Sequence, residues 1–147
     1  MDTPKAWERI DVGGDATTGL VRRFYEDMWN QWDFALTEEL LAADLTFRGS
    51  LGVEVAGRAA FREYMTLVQT AFPDFHNEVE DLIVEGNRAA ARLTYRGTHL
   101  GPALGVPATG RRITYGGAAF FTVRDGLVAS VWVLGDLDGL RRQLIDR

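Results

Sequence analysis

The residue types that could do chemistry here gather around the run VWVLGDLDGL, residues 131 to 140. Asp136 ends an apolar stretch that otherwise reads as buried, and carboxylates are seldom buried without a partner. Two readings are open. In one, Asp136 is the N-cap of a helix beginning at Leu137, a position that favours Asp. In the other it faces a pocket. There, desolvation raises a carboxyl pKa and hydrogen bonds to the anion lower it, and an acid against apolar walls can act as general acid or base near neutral pH. His99, in RGTHLG, closes a strand ahead of a Gly/Pro-rich connection. It is either a neutral hydrogen-bond partner at a pocket mouth or a polar strand end.

These groups are positioned by strands. RRITYGGAAFFTVRDGLVASVWVLGD reads as two strands joined at Asp125-Gly126, a turn pair that tolerates positive φ at both residues. With Arg124 opposite Leu127, a regular ladder would set Asp136 opposite Tyr115, Trp132 opposite Ala119 and Ser130 opposite Phe121. Alternation would then turn Asp136, Leu134, Trp132 and Ser130 to the same face as Tyr115, Gly117, Ala119 and Phe121, as in a cavity wall. FHNEVEDLIVEGNRAAARLTYRGTHL reads as another pair, joined at Glu85-Gly86-Asn87.

Upstream the period is helical. From an N-cap at Thr17 or Thr18, GLVRRFYEDMWNQWD places Leu20, Phe24, Met28 and Trp32 at steps of four, with Val21, Tyr25 and Trp29 beside them. FALTEELLAADL continues as a short helix, for which Asp33 is a cap, and LTFRG, with Phe47 and Arg48, as a brief strand. A long helix spans about Arg58 to Ala71, with Phe61, Tyr64, Leu67 and Val68 on one face and Pro73 beyond its end. DLDGLRRQLI closes the chain with Leu137, Leu140 and Leu144 aligned. Residues 1–16 read as a loose arm and 17–147 as a single domain. The expected class is α+β, a conical barrel of curved antiparallel sheet wrapped around helices, with an apolar pocket between them.

Composition narrows the function. A net charge of -5 argues against a nucleic-acid partner. The absence of cysteine removes thiolate catalysis and sulfur-rich zinc sites. No HxxxH spacing supports a metal site, and no GxGxxG or P-loop supports a nucleotide cofactor. No stretch approaches the ~20 apolar residues of a membrane span and no signal-peptide core precedes the domain, so the expectation is a cytoplasmic protein with no membrane partner. Arg48 is expected to pair with a surface acid or to reach the pocket. The stripe of Phe24, Met28, Trp29 and Trp32 is expected to form core or a platform for a flat ligand.

FPDFHNEVEDLIVEGNRAAARLTYRGTHLGPALGVPATGRRI followed by FFTVRDGLVASVWVLGDLDGLRRQL resembles the SnoaL-like polyketide cyclase, or ester cyclase, family of the nuclear-transport-factor-like superfamily, over roughly residues 18–145. The resemblance rests on FPDF, the EG turn, GTH, G-V-P-x-T-G-R-R, DG and W-x-x-x-D before a Leu-rich helix. It implies a cone with a deep apolar pocket, no cofactor, and a homodimer or homotetramer formed through the outer sheet face. It also implies a role in secondary metabolism. The family's acid falls at Asp136, which makes the cap and pocket readings compatible. There the acid takes a proton alpha to a carbonyl, and the enolate closes a ring in an aldol step. Tyr115 and His99 are the nominated donors. Trp132, Trp29, Phe121, Phe47, Phe24 and Tyr64, with Arg48, would hold a small hydrophobic substrate. GGAAFFTV departs from the family by lacking the polar residues, His among them, that its cyclases carry on that strand. A non-catalytic binding protein using the same pocket, and an assembly module, are the other expectations.

Overall fold

The protein is described by a computed structural model over residues 15–146. The expected N-terminal arm therefore lies outside the described residues, except for its last two, which are already helical. Helix α1 (Asp15–Arg22) starts ahead of the anticipated cap. Thr17 sits inside it and donates instead to the Gly86 carbonyl, 2.6 Å away. The helix then widens into a π-helical segment, Arg23–Trp29, whose broader turn brings Phe24, Tyr25, Met28 and Trp29 inward together. It ends at Trp29 rather than Trp32. Trp32 takes a left-handed conformation, φ 54°, and its indole N–H donates to the Pro73 carbonyl at 2.9 Å.

Helix α2 (Leu36–Leu40) is shorter than its period suggested, because the chain turns directly into strand β1 (Leu41–Arg48). Tertiary pairing overrides local helical pattern there: Leu41, Leu45 and Phe47 are all buried, and β1 lies beside β6. A short strand β2 (Glu54–Ala56), not anticipated, precedes α3 (Arg58–Ala71), which has the expected bounds. Phe61, Tyr64, Met65 and Val68 form its buried face, while Leu67 is exposed. Strands β3 (His76–Glu85), β4 (Arg88–Thr98), β5 (Arg112–Arg124) and β6 (Leu127–Gly135) follow, then α4 (Leu137–Ile145). Both turns fall where expected, with Asp125 and Gly126 at φ 54° and 75°.

The six strands form one curved sheet in the order β2-β1-β6-β5-β4-β3. It is an open sheet, with β2 and β3 as edges, so the barrel does not close. The pairing is antiparallel except for β1 with β6, which is parallel. The helices supply the residues that cover its inner face, and one contiguous core joins the two layers.

The β5–β6 hairpin contains the feature that decides which residues face that core. Next to the turn Arg124 pairs with Leu127 and Val123 with Val128, as expected, but the following pair is Thr122 with Ser130. Ala129 is therefore an extra residue, a β-bulge, and both it and Val128 are buried. Beyond it the ladder is displaced by one. Phe121 faces Val131, Ala119 faces Val133 and Gly117 faces Gly135. The expected inward face of β5 is correct, whereas that of β6 is reversed.

Candidate active site

Four tyrosines are present in the chain, at 25, 64, 95 and 115, and all four are buried between the sheet and the helices. They arrive from different elements: the π-helical segment, α3, β4 and β5. Their rings belong to a continuous aromatic cluster. Tyr95 stacks on Phe75 with an interplanar angle of 14° and lies 4.9 Å from Tyr115. Trp29 and Phe47 pack against Tyr64 at 6.0 and 5.3 Å. Gly117 makes room for Tyr95: a Cβ there would lie 2.7 Å from the ring. Within this cluster is a cavity of about 20 Å³, room for about one water, bordered by Trp29, Ser50, Tyr64, Tyr95 and Val133 among others.

Two of the hydroxyls, those of Tyr64 and Tyr115, meet at Ser50, in the loop after β1. Ser50 Oγ lies 2.9 Å from the Tyr115 hydroxyl and also hydrogen-bonds Tyr64, whose oxygen accepts the Leu51 N–H at 3.4 Å. Burial pushes the Tyr64 phenol up to about 12, against the partial opposition of its hydrogen bonds to Leu51 and Ser50. It also raises Tyr115 well above the ordinary phenol value, along with Tyr25 and Tyr95. All four are therefore neutral O–H donors across the physiological range. A second polar link lies at the wall, where Asn30 donates to the Asn77 carbonyl at 3.0 Å and accepts from the Asn77 backbone N–H at 2.9 Å.

Of the residues singled out in the sequence, Tyr115, Tyr64, Trp29, Phe24, Phe47 and Phe121 share this interior. Trp132 does not. The bulge turns it to the outer face, where it is 44% exposed, packs on Phe120 at 6.0 Å and lies under the Arg48 guanidinium at 5.0 Å. Arg48 is thus also outside the cavity, donating to the Val133 carbonyl. Asp136 is exposed and caps α4, its Oδ1 accepting the Gly139 N–H at 2.9 Å. In place of a pairing with Tyr115, its backbone N–H donates to the Gly116 carbonyl. His99 is fully buried but does not border the cavity. Its Nδ1 accepts from the Thr109 N–H at 3.2 Å and lies 2.9 Å from the Thr109 hydroxyl, which pins the Gly/Pro-rich connection. That leaves the proton on Nε2, which meets no hydrogen-bond partner among the described residues.

Ser50, Tyr25, Tyr95 and Asn77 are site residues that the sequence reading passed over. Tyr95 had a signal, since it alternates with Leu93 and Gly97 on the buried phase of β4. Ser50 had none, because its position depends on a loop folding back over two distant tyrosines.

A curved sheet with helices over its inner face, enclosing an aromatic interior studded with hydroxyls, defines a small α+β protein of the cone-shaped class. The profile of the SnoaL-like polyketide cyclase family matches residues 19–144, and the chain belongs to that family. TsrD from Streptomyces laurentii is 30% identical, with a TM-score of 0.80 over 95% of this chain and 100% of that one. IdmH from Streptomyces antibioticus, a candidate polyketide cyclase, is 27% identical with a TM-score of 0.75 over 87% and 97%. A candidate SnoaL-like cyclase from Jannaschia sp. CCS1, 21% identical, shares the fold with a TM-score of 0.84 over 94% and 97%. No curated protein matches the chain. Among the described residues no helix is long and apolar enough to cross a membrane.

Proposed function

We propose that the chain is an enzyme of the cyclase or isomerase type, which enolises a hydrophobic carbonyl compound and holds the resulting oxyanion with buried phenols. The observation that carries this reading is the buried Tyr64–Ser50–Tyr115 hydroxyl chain, of which Tyr64 and Ser50 border the apolar cavity and Tyr115 lies behind Ser50. Neutral O–H donors in a dry site stabilise a developing enolate far better than water does, because they need no reorganisation as the charge forms. An enolate so held can close a ring on a second carbonyl or be reprotonated as an isomer.

The proton acceptor in this reading is Asp136. Its neighbours on both sides touch the loop that carries Ser50: Gly135 lies against the Ser50 backbone, and the Leu137 side chain lies beside Gly52. The carboxylate itself is exposed and is held by its cap bond to Gly139, and in this reading it reaches the substrate from the edge of that loop.

The test is hydrogen–deuterium exchange alpha to the carbonyl of 2-tetralone, followed by NMR. Wild type is expected to accelerate exchange over buffer. Tyr115→Phe is expected to lower the acceleration by about 100-fold, as loss of one oxyanion donor does elsewhere. Asp136→Asn, which keeps a good helix cap, is expected to remove most of the acceleration. If the ketone binds and exchanges no faster than in buffer, the alternative leads: a binding protein using the same cavity. The absence of a carboxylate from that cavity's described lining favours this alternative.

We also propose that a second copy of the chain covers the outer sheet face. One ladder row crosses all six strands there: Glu54, Arg48, Trp132, Phe120, Ala90 and Ile83. Its four apolar members form a continuous stripe. Flanking rows bring Thr46, Ser130, Thr122 and Arg88 on one side, the polar rim that an interface of this kind carries.

A further inference from the structure

The cavity as it stands holds about one water, far less than a carbonyl substrate requires, so ligand binding must displace part of the wall. The inner walls on the sheet side are strands tied into ladders on both sides of β5, and α3 is a fourteen-residue helix packed on its apolar face. The segment 49–53 is held differently. Its backbone closes on itself, Gly49 N–H to the Val53 carbonyl and Gly52 N–H to the Gly49 carbonyl, each at 2.9 Å. Apart from close packing, its bonds to the cavity are those of Ser50 Oγ and the long Leu51 N–H to Tyr64 contact.

That packing is close because two positions lack side chains. A Cβ on Gly49 would lie 2.2 Å from the Tyr64 hydroxyl, and one on Gly135 would lie 2.4 Å from the Ser50 carbonyl oxygen. The loop is thereby seated deep enough to drive the Ser50 hydroxyl between two phenols that come from α3 and β5. Ser50 is only 8% exposed. A hydroxyl oxygen carries two acceptor lone pairs, so it can receive both phenol O–H groups. An enolate or phenolate oxygen has the same capacity and, being charged, accepts more strongly.

We propose that Ser50 is an internal stand-in for the ligand: loop 49–53 closes the empty cavity by placing its hydroxyl on the Tyr64–Tyr115 donor pair, and an apolar, planar enolate or phenolate displaces it. This rests on the reading of the cavity as an oxyanion site given above. Displacing Ser50 also frees the loop from Gly135 and Leu137, so the same movement that admits ligand opens a path toward the exposed Asp136 carboxylate. The ligand class follows from the surroundings. Aromatic walls select flat apolar bodies, and two neutral donors on one point select a single anionic oxygen.

The test is titration of wild type, Ser50→Ala, Ser50→Gly and Tyr115→Phe with 2-naphthol, whose ultraviolet absorption distinguishes ground-state naphthol from naphtholate. Circular dichroism confirms that each variant is folded, and Ser50→Gly serves if Ser50→Ala is not. Wild type is expected to bind the probe as naphtholate. Removing the serine oxygen is expected to tighten binding by about tenfold, since one net hydrogen bond no longer has to be exchanged, whereas Tyr115→Phe is expected to weaken it. Equal or weaker binding by the Ser50 variants, with wild type still binding, would overturn the stand-in role and leave the oxyanion site in place. No naphtholate binding by any of the proteins would overturn both.

Discussion

Phe120 and Phe121 are consecutive residues of one strand, yet the first is 46% exposed on the outer sheet face and the second 1% exposed in the core. Phe121 meets Phe24 at 5.2 Å and Tyr25 at 5.8 Å, in edge-to-face contacts that continue into the tyrosine cluster. Phe120 meets Trp132, and the same face carries the exposed Leu134 and Ile83. Both faces carry aromatics, many on the inner side and the Phe120–Trp132 pair on the outer, and they differ in the polar groups set beside them. The inner one adds hydroxyls paired with each other, and the outer one adds Arg48 and the threonines at its margins. Strand phase, rather than residue type, assigns an aromatic to the interior or to the outer sheet face.

The phase of β6 depends on Ala129, which makes its removal the strongest way to break the comparison. Deleting Ala129 would restore a regular ladder, swing Trp132 toward the cavity and expel Val131 and Val133 from the core. An indole has no room beside Phe47 and Tyr64, so the deletion variant is expected to lose its cooperative thermal transition, measured by near-ultraviolet circular dichroism. A folded variant with native melting would show that the bulge does not set the phase.

Next in size is the pair of adjacent truncations. Phe121→Ala removes a fully buried ring and is expected to cost about 3–5 kcal/mol in chemical unfolding. Phe120→Ala is expected to stay within about 0.5 kcal/mol at concentrations where the chain is monomeric. Its effect lies elsewhere: self-association in sedimentation velocity is expected to weaken. Similar unfolding costs for both, or unchanged association in Phe120→Ala, would erase the distinction between the faces.

Much of this was legible from residue order. Alternation and the Asp125-Gly126 turn placed β5 correctly, and the period of α3 located Tyr64 on its inner side. The bulge was not legible, because VASVWV alternates well enough in either phase and only the fit of Val131 and Val133 into a crowded core decides between them. The same crowding explains β1. AADL has helical character, but pairing with β6 buries Leu45 and Phe47, which outweighs a propensity difference of about 0.7 kcal/mol per residue or less. The hydroxyl site was half visible. Tyr115 and Tyr64 could be nominated from pattern, but Ser50 joins residues 14 and 65 positions away through a loop whose course no local signal specifies.

The smallest expected effect bears on Asp136, where the comparison becomes one between two roles of a single side chain. As a cap, the carboxylate satisfies the Gly139 N–H, and Asp136→Ala is expected to cost about 1 kcal/mol in unfolding, with Asp136→Asn close to wild type because Asn caps equally well. As a proton acceptor it has no substitute in Asn. The two substitutions therefore separate the roles: stability should distinguish Ala from Asn, whereas exchange of the ketone proton should not. If instead Asn retained the exchange and only Ala lost it, the carboxylate would matter solely for holding α4, and with it Gly135, against the Ser50 loop. The phenols would then be the whole of the chemistry that this cavity offers.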